Sequence, residues 1–315
     1  MPSSEVHTFT DPDDYAAAIR AATVEATVTG RGQFAAKRIR IDLHRLWMQR
    51  FTENLPRVLH TSLAPGRAVI TFRTRPGRGL LWSGVEMQAD YITRHSEGEE
   101  THQLSSGKAC FGAMSLPVEE MASAGATMAG CDLTPPPNTL TIIAPPGAMA
   151  KLQRLHVAAG YLAEYAPEII ANPDAARGLE QALIEAMVDC LGEGKDREDS
   201  VAQRQHELIM RRFRRVLEEN RADSLYVPEI CKAIRVAGRT LRVCCQEQLG
   251  MGPKHYLLLR RLHLVRRALR EAAPDATTVT KIATRYGFWE LGRFAGEYRS
   301  LFGESPSITL RHQSE

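Results

Sequence analysis

The 315-residue sequence has no CxxC pair, no HxH pair and no apolar run near the roughly 18 residues that a bilayer span needs. Each absence excludes something. Its six cysteines, at 110, 131, 190, 231, 244 and 245, are scattered, and the adjacent Cys244 and Cys245 cannot form an ordinary disulfide with each other. They read as small buried hydrophobes in a reducing compartment. The histidines at 44, 60, 95, 102 and 156 are equally dispersed, so no metal site and no cofactor is expected. The amino terminus, "MPSSEVHTFTDPDDY", lacks the basic and apolar regions of a signal peptide. A cytoplasmic location, away from membranes, is the expectation.

Apolar residues make up 43% and charged residues 24%, which suits a globular chain with two ordinary domains. The charge is uneven. Residues 201–315 carry 21 basic against 12 acidic side chains, while residues 1–200 carry 19 against 25. A basic tail joined to an acidic body points to a polyanionic partner for the tail.

Residues 12–24 read as a short helix. From 34 to 145, short segments with alternating apolar residues ("QFAAKRIRI", "RAVITFRT", "LLWSGVEMQADYI") are separated by Pro and Gly turns, the pattern of a sandwich or barrel. Helical spacing returns over 148–191, where Leu152, Leu155, Ala159 and Leu162, then Leu179, Leu183 and Met187, recur at three- and four-residue steps. The polar stretch "GEGKDREDS" places a linker over 192–204, with little in it able to pack.

The stretch "IATRYGFWELGRFAGEYRSLFGESP" (282–306) resolves into two helices. Ile282, Ala283 and Tyr286 make one stripe, and Phe294, Tyr298, Leu301 and Phe302 make another. Gly287 between them suits a left-handed turn, and Gly303 with Pro306 stops the second helix. Two short helices joined by a glycine turn predict a helix-turn-helix. "VPEICKAIRVAGRTLRVCCQEQLGMGP" repeats the pattern upstream, and "KHYLLLRRLHLVRRALREA" supplies a long helix between the two.

The strings "GRTLR", "LGMGPKHYL", "RLHLVRRAL" and "IATRYGFWELGRFAGEYRSLFGESP" resemble, in order and spacing, the DNA-binding domain of AraC/XylS-type transcription regulators. That resemblance implies an α+β chain of two domains. Residues 1–191 are expected to form an effector-sensing and dimerisation domain, with a cupin-like β-barrel over 34–145 and helices over 148–191. Residues 205–315 are expected to be all-α, with the first helix-turn-helix near 225–249, a connecting helix at 254–272 and the second motif near 278–303. The family usually places Ser where Ala237 stands, an aromatic at Cys245 and Ser at Gly252. Loss of a hydroxyl cap at Ala237 costs about 1 kcal/mol.

The resemblance assigns Arg239, Arg242 and Val243, with Thr240 beside them, to bases in one major groove. It assigns Glu290, Leu291, Gly292, Arg293 and Gly296 to the next groove, about 34 Å away. An arginine guanidinium can hold guanine O6 and N7 together, whereas Gly292 and Gly296 offer no side chain and favour close backbone approach. "RRFRR" (211–215) is a candidate for phosphate contact. The implied partners are double-stranded DNA, RNA polymerase, an unidentified small-molecule effector and a second copy of the chain. Trp47, Phe72 and Trp82, with Phe34 and Met87, are candidates to line an effector pocket in which Arg57, His60 or Arg73 fixes a polar group. Leu179, Leu183 and Met187 are candidates for dimerisation.

Three alternatives stay open at this point. The front domain of a DNA-binding regulator serves dimerisation only; the barrel is a metal-dependent cupin enzyme; or the chain is a DNA-repair protein with a reactive cysteine.

Overall fold

The computed structural model describes residues 1–220 and 223–311. The chain opens with a strand, β1 (Ser3–Phe9), and a short helix, α1 (Pro12–Ala17), capped by the Asp11 carboxylate on the Asp13 and Asp14 amides at 2.9 and 3.1 Å. The helix expected to reach residue 24 ends here. Ala21 adopts a left-handed φ of 60°, and the β-branched Thr23, Val24, Thr27 and Val28 belong to a strand, β2 (Ala22–Val28).

Nine strands follow: β3 (Ala36–Asp42), β4 (Trp47–Glu53), β5 (Arg57–Leu63), β6 (Arg67–Arg73), β7 (Leu80–Trp82), β8 (Val85–Glu86), β9 (Tyr91–Arg94), β10 (Glu100–Ser105) and β11 (Ala109–Pro117). A helix, α2 (Val118–Ala129), lies inside the region read as all strand, before β12 (Leu140–Ile143). Then come α3 (Pro146–Tyr165), α4 (Pro167–Ala171), α5 (Pro173–Gly192), β13 (Lys195–Asp196) and α6 (Val201–Glu219). The rest is helical: α7 (Val227–Ile234), α8 (Gly238–Leu249), α9 (Pro253–Glu271), α10 (Val279–Arg285), α11 (Leu291–Phe302) and α12 (Pro306–Arg311).

The chain is thus an α+β molecule with a β-rich amino-terminal half and a helical carboxy-terminal half. Its strands form two sheets, ordered β1-β3-β4-β11-β6-β9-β12-β13 and β2-β5-β10-β7-β8, and not one closed barrel. Alternation along each strand sorts the side chains between layers. Phe51, Leu59, Trp82 and Phe111 fill the space between the sheets. Ile70, Phe72 and Met114 point the other way, into a core shared with α3 and α5. The outer face of the smaller sheet presents Val58 and Leu104 to α6, α8 and α9. Helices, sheet, sheet and helices therefore stack in that order.

Two expectations are corrected by this stacking. Leu183 and Met187 are fully buried in the chain's own core, with Leu179 packed against it, so they cannot pair two chains. The amphipathic stripe of α5 is spent on the larger sheet. The segment 192–204 is not a free linker either. Lys195 and Asp196 pair with Ile143 and Ile142, the Arg197 amide donates to Thr141 O at 2.8 Å, and Ser200 with Gln203 forms a capping box that starts α6 at Val201.

Candidate nucleic-acid interface

Two helix pairs, α7–α8 and α10–α11, flank α9. In the first, Ile230, Ile234, Leu241, Cys245 and Leu249 are buried together, which turns Arg239, Arg242 and Val243 outward on α8. Thr240 is half-buried. The turn between α7 and α8 runs through Arg235 at φ 56°, a left-handed cap that is uncommon for a residue with a side chain. Ala237, at the N-cap of α8, gives no side-chain hydrogen bond, so the first amides of α8 are left to an outside acceptor or water. In the second pair, Ile282, Ala283, Phe294, Tyr298 and Leu301 are buried, and Glu290, Leu291, Gly292, Arg293 and Gly296 are exposed. The structure thus brings the sequence-predicted residues onto two outward helix faces.

One residue overlooked in the sequence ties the two motifs together. The Arg261 guanidinium, on α9, lies 5.4 Å from the Tyr226 ring before α7 and 5.2 Å from the Phe288 ring before α11. Gly287, at φ 78°, sits against the same group: a Cβ there would stand 2.9 Å from Tyr226 Oη and 3.3 Å from Arg261 Nη1. The left-handed conformation at 287 is what favours glycine there, since the two nearest atoms are the far ends of side chains. Arg261 thus links the two motifs through a cation between two rings, beside the buried contacts that each makes with α9.

The domain is clasped to the smaller sheet. His60 and His102 face each other across β5 and β10, their rings 6.4 Å apart. His60 meets the Tyr256 hydroxyl at 2.5 Å, Arg214 bonds the His102 ring, and His263 meets Val28 O at 3.0 Å. Burial holds all three imidazoles neutral: His60 and His263 are lowered to about 4, and His102 lies well below its ordinary value, with Arg214 beside it adding to the effect. Around them, Arg267 donates to Asp13 at 2.7 Å and to Glu25 at 3.3 Å, Arg266 pairs with Asp11 at 2.5 Å, and Arg270 pairs with Asp11 at 2.6 Å and Asp14 at 3.3 Å. Burial pushes the Glu25 carboxyl up, but Arg260 and Arg267 outweigh it and hold the group below the usual range. Arg266, Arg267 and Arg270 of α9 thus serve the amino-terminal half. Within the run 211–215, Arg211 pairs with Glu99 at 2.5 Å and Arg214 is buried against His102 and Glu207, while Arg212 and Arg215 stay exposed.

Between the sheets lies a cavity of about 70 Å³, lined by Trp47, Phe51, Leu59, Trp82, Phe111 and other mostly apolar residues, with Gln49, Thr71, His95 and Gln103 as its polar edge. Trp47 is sandwiched between the Arg20 and Arg67 guanidinium groups, at 3.3 and 3.6 Å. Of the residues predicted for a pocket, Trp47 and Trp82 line it. The other six do not. Phe72 has the opposite strand parity and faces His156 on α3. The Arg57 guanidinium is consumed by Glu53 and Gln103, Arg73 bonds Met87 O and Arg75 O, and His60 looks out at Tyr256. Phe34 and Met87 belong to the apolar core beside the cavity.

The domain's kinship with known proteins is specific. A helix-turn-helix domain family matches residues 230–312. Residues 230–312 thus form a helix-turn-helix domain. Over 95 residues the chain is 41% identical to a probable thc operon regulatory protein of Rhodococcus erythropolis and 37% identical to a XylDLEGF operon transcriptional activator of Pseudomonas putida. Each alignment takes in 30% of this chain, with 29% and 30% of those proteins respectively, so the likeness spans under a third of either relative. Among solved structures, the AraC-like transcriptional activator CuxR aligns over 89% of this chain and 99% of its own, at 14% identity and a TM-score of 0.44. Among the described residues no group of His, Cys, Asp and Glu is placed to hold a metal, and no helix is long and apolar enough to cross a membrane. Burial pushes the Cys190 and Cys245 thiols up to about 12 and Cys244 to about 11. None of the three is a reactive thiolate.

Proposed function

We propose that the chain is a sequence-specific, DNA-binding transcription regulator, an activator like its Pseudomonas putida relative, that responds to a small molecule and contacts RNA polymerase. The observation that carries this reading is the pair of outward helix faces within one AraC-type domain, with Arg239 and Arg242 free to grip bases. On this reading residues 1–191 sense and dimerise as a cupin-like unit, 192–204 join the halves as a structured junction, and 205–315 read DNA.

The effector is a compact and largely apolar molecule seated between the sheets, because Trp47, Phe51, Trp82 and Phe111 dominate that cavity and only its edge is polar. Its occupancy is coupled to DNA through β5 and β10. These strands carry Leu59, Thr61, Thr101 and Gln103 toward the cavity and His60 and His102 toward Tyr256 and Arg214. The dimer face is the outer stripe of α3, where Val157, Tyr161 and Tyr165 are exposed one turn apart, continued by Ile169 on α4.

The test is selection of bound duplexes from a random-sequence pool by the full chain, followed by gel-shift titration. One enriched sequence, with Arg239→Ala and Arg242→Ala losing preference at particular base pairs, is the expected result. Equal binding to every duplex would overturn the reading.

A further inference from the structure

The second reading helix poses a chemical problem. Its outward positions 292 and 296 are glycines, and Arg293 is held by Glu297 at 2.9 Å with Glu290 at 4.0 Å. Little is left on α11 itself to donate a hydrogen bond to a base edge. Neither glycine is needed by the chain: both have ordinary backbone angles, and a Cβ at either would meet nothing within 4 Å. Open space there serves an outside partner.

Directly before the N-cap Glu290 stands Trp289, which is 78% exposed and makes no ring contact or hydrogen bond among the described residues. Leu291, the first residue of α11, is 37% exposed beside it. An exposed indole on a charged surface is uncommon, and here it has no protein partner to explain it. The cleft it lines carries Lys254, His255, Arg261 and Arg293 beside Glu290 and Glu297. Residues at the amino-terminal end of a recognition helix enter the major groove first. The one apolar group that a base pair displays there is the thymine 5-methyl.

Resting on the DNA-binding reading above, we propose that Trp289, aided by Leu291, is the specificity-determining contact of the second motif and reads thymine 5-methyl groups. The two halves of the domain then use different chemistry. The first reads hydrogen-bonding edges with Arg239 and Arg242. The second reads methyl groups, and Gly292 and Gly296 let the α11 backbone sink far enough for the indole to reach them.

The experiment uses the full chain and a duplex selected by it from a random pool, with each thymine of the second half-site replaced in turn by deoxyuridine. That exchange removes the methyl and keeps every hydrogen bond. Burial of one methyl corresponds to about fourfold in affinity. One or two positions should therefore lose about fourfold on exchange with the unsubstituted protein. With Trp289→Ala, affinity for the thymine duplex should fall and the same exchange should change nothing, while Trp289→Phe should keep part of the discrimination. Cytosine at such a position should weaken binding, and 5-methylcytosine should recover part of the loss. An exchange penalty of equal size with and without Trp289 overturns the proposal, as does a Trp289→Ala protein that binds like the parent. Insensitivity of the first half-site to Arg239→Ala and Arg242→Ala would instead defeat the DNA-binding reading, a result separable from either of these.

Discussion

The clasp between the two halves should fail on mild acidification, well before any carboxylate titrates. His60, His102 and His263 are buried in it, and the His60 and His263 imidazoles are lowered to about 4 from an ordinary 6.5. For a base whose pKa is depressed by folding, the stabilisation is complete above the unfolded value and is lost as pH falls toward the folded one. The window is therefore from about 6.5 down to 4. Between pH 7.5 and 5.5 each such histidine costs the closed state about 1.3 kcal/mol. His60 and His263 together give about 2.6 kcal/mol, and His102, also lowered, adds in the same direction, against the ~5–15 kcal/mol that holds an ordinary protein together. His95 and His156, lowered to about 4 and about 3 inside the amino-terminal half, add about 2.6 kcal/mol to the global loss. Asp11 and Glu25 have lowered values and stay ionised throughout this range, so they leave the slope untouched. Urea unfolding at a series of pH values measures the total, and X-ray scattering measures separation of the halves. His263→Gln keeps a donor toward Val28 O and should remove about 1.3 kcal/mol of the pH dependence. A stability profile flat from pH 7.5 to 5.5 would refute the reasoning.

Arg239→Ala and Arg242→Ala should each cost about 1–3 kcal/mol on the selected duplex and less on unrelated DNA, read by gel-shift titration in a stated salt concentration. Leu183→Glu should unfold the amino-terminal half, losing its cooperative melt, since it buries a charge without a partner, whereas Tyr161→Glu should leave the melt intact and yield monomers in sedimentation. Asp13→Lys should loosen the clasp by about 1–2 kcal/mol, because its ion pair with Arg267 is only partly buried, and scattering should show a larger radius of gyration.

What the sequence made legible were the features carried by short-range pattern. The stripes of α8, α9 and α11 and the turn at Gly287 follow from helical periodicity and local conformation, and so does the outward placement of Arg239 and Arg242. What escaped it depended on which surface meets which. The stripe Leu179–Leu183–Met187 says that one face of α5 is buried, and cannot say whether a second chain or the larger sheet buries it. The exposed stripe at Val157, Tyr161 and Tyr165 looked the same on paper. In β6, Phe72 and Thr71 lie on opposite faces, and their assignment to helix or cavity needs the neighbouring layers. The helix expected over 12–24 takes in the first residues of the Ala22–Val28 strand because "DDYAAAIRAA" is rich in alanine, although Thr23, Val24, Thr27 and Val28 signal extension. The capping pair Ser200 and Gln203 was readable and marks the start of α6.

The tryptophans have a further consequence, an optical one. The chain has three, two at the cavity on opposite sheets and one beside the second reading helix. Trp47 is clamped between two guanidinium groups at the cavity, Trp82 stands edge-on to Phe111 on the smaller sheet, and Trp289 projects into solvent beside the second reading helix. Their emission should differ in colour and in accessibility to iodide, with Trp289 the reddest and most readily quenched. Proteins retaining one indole at a time would therefore follow cavity filling, sheet adjustment and groove entry as separate signals, without any added dye.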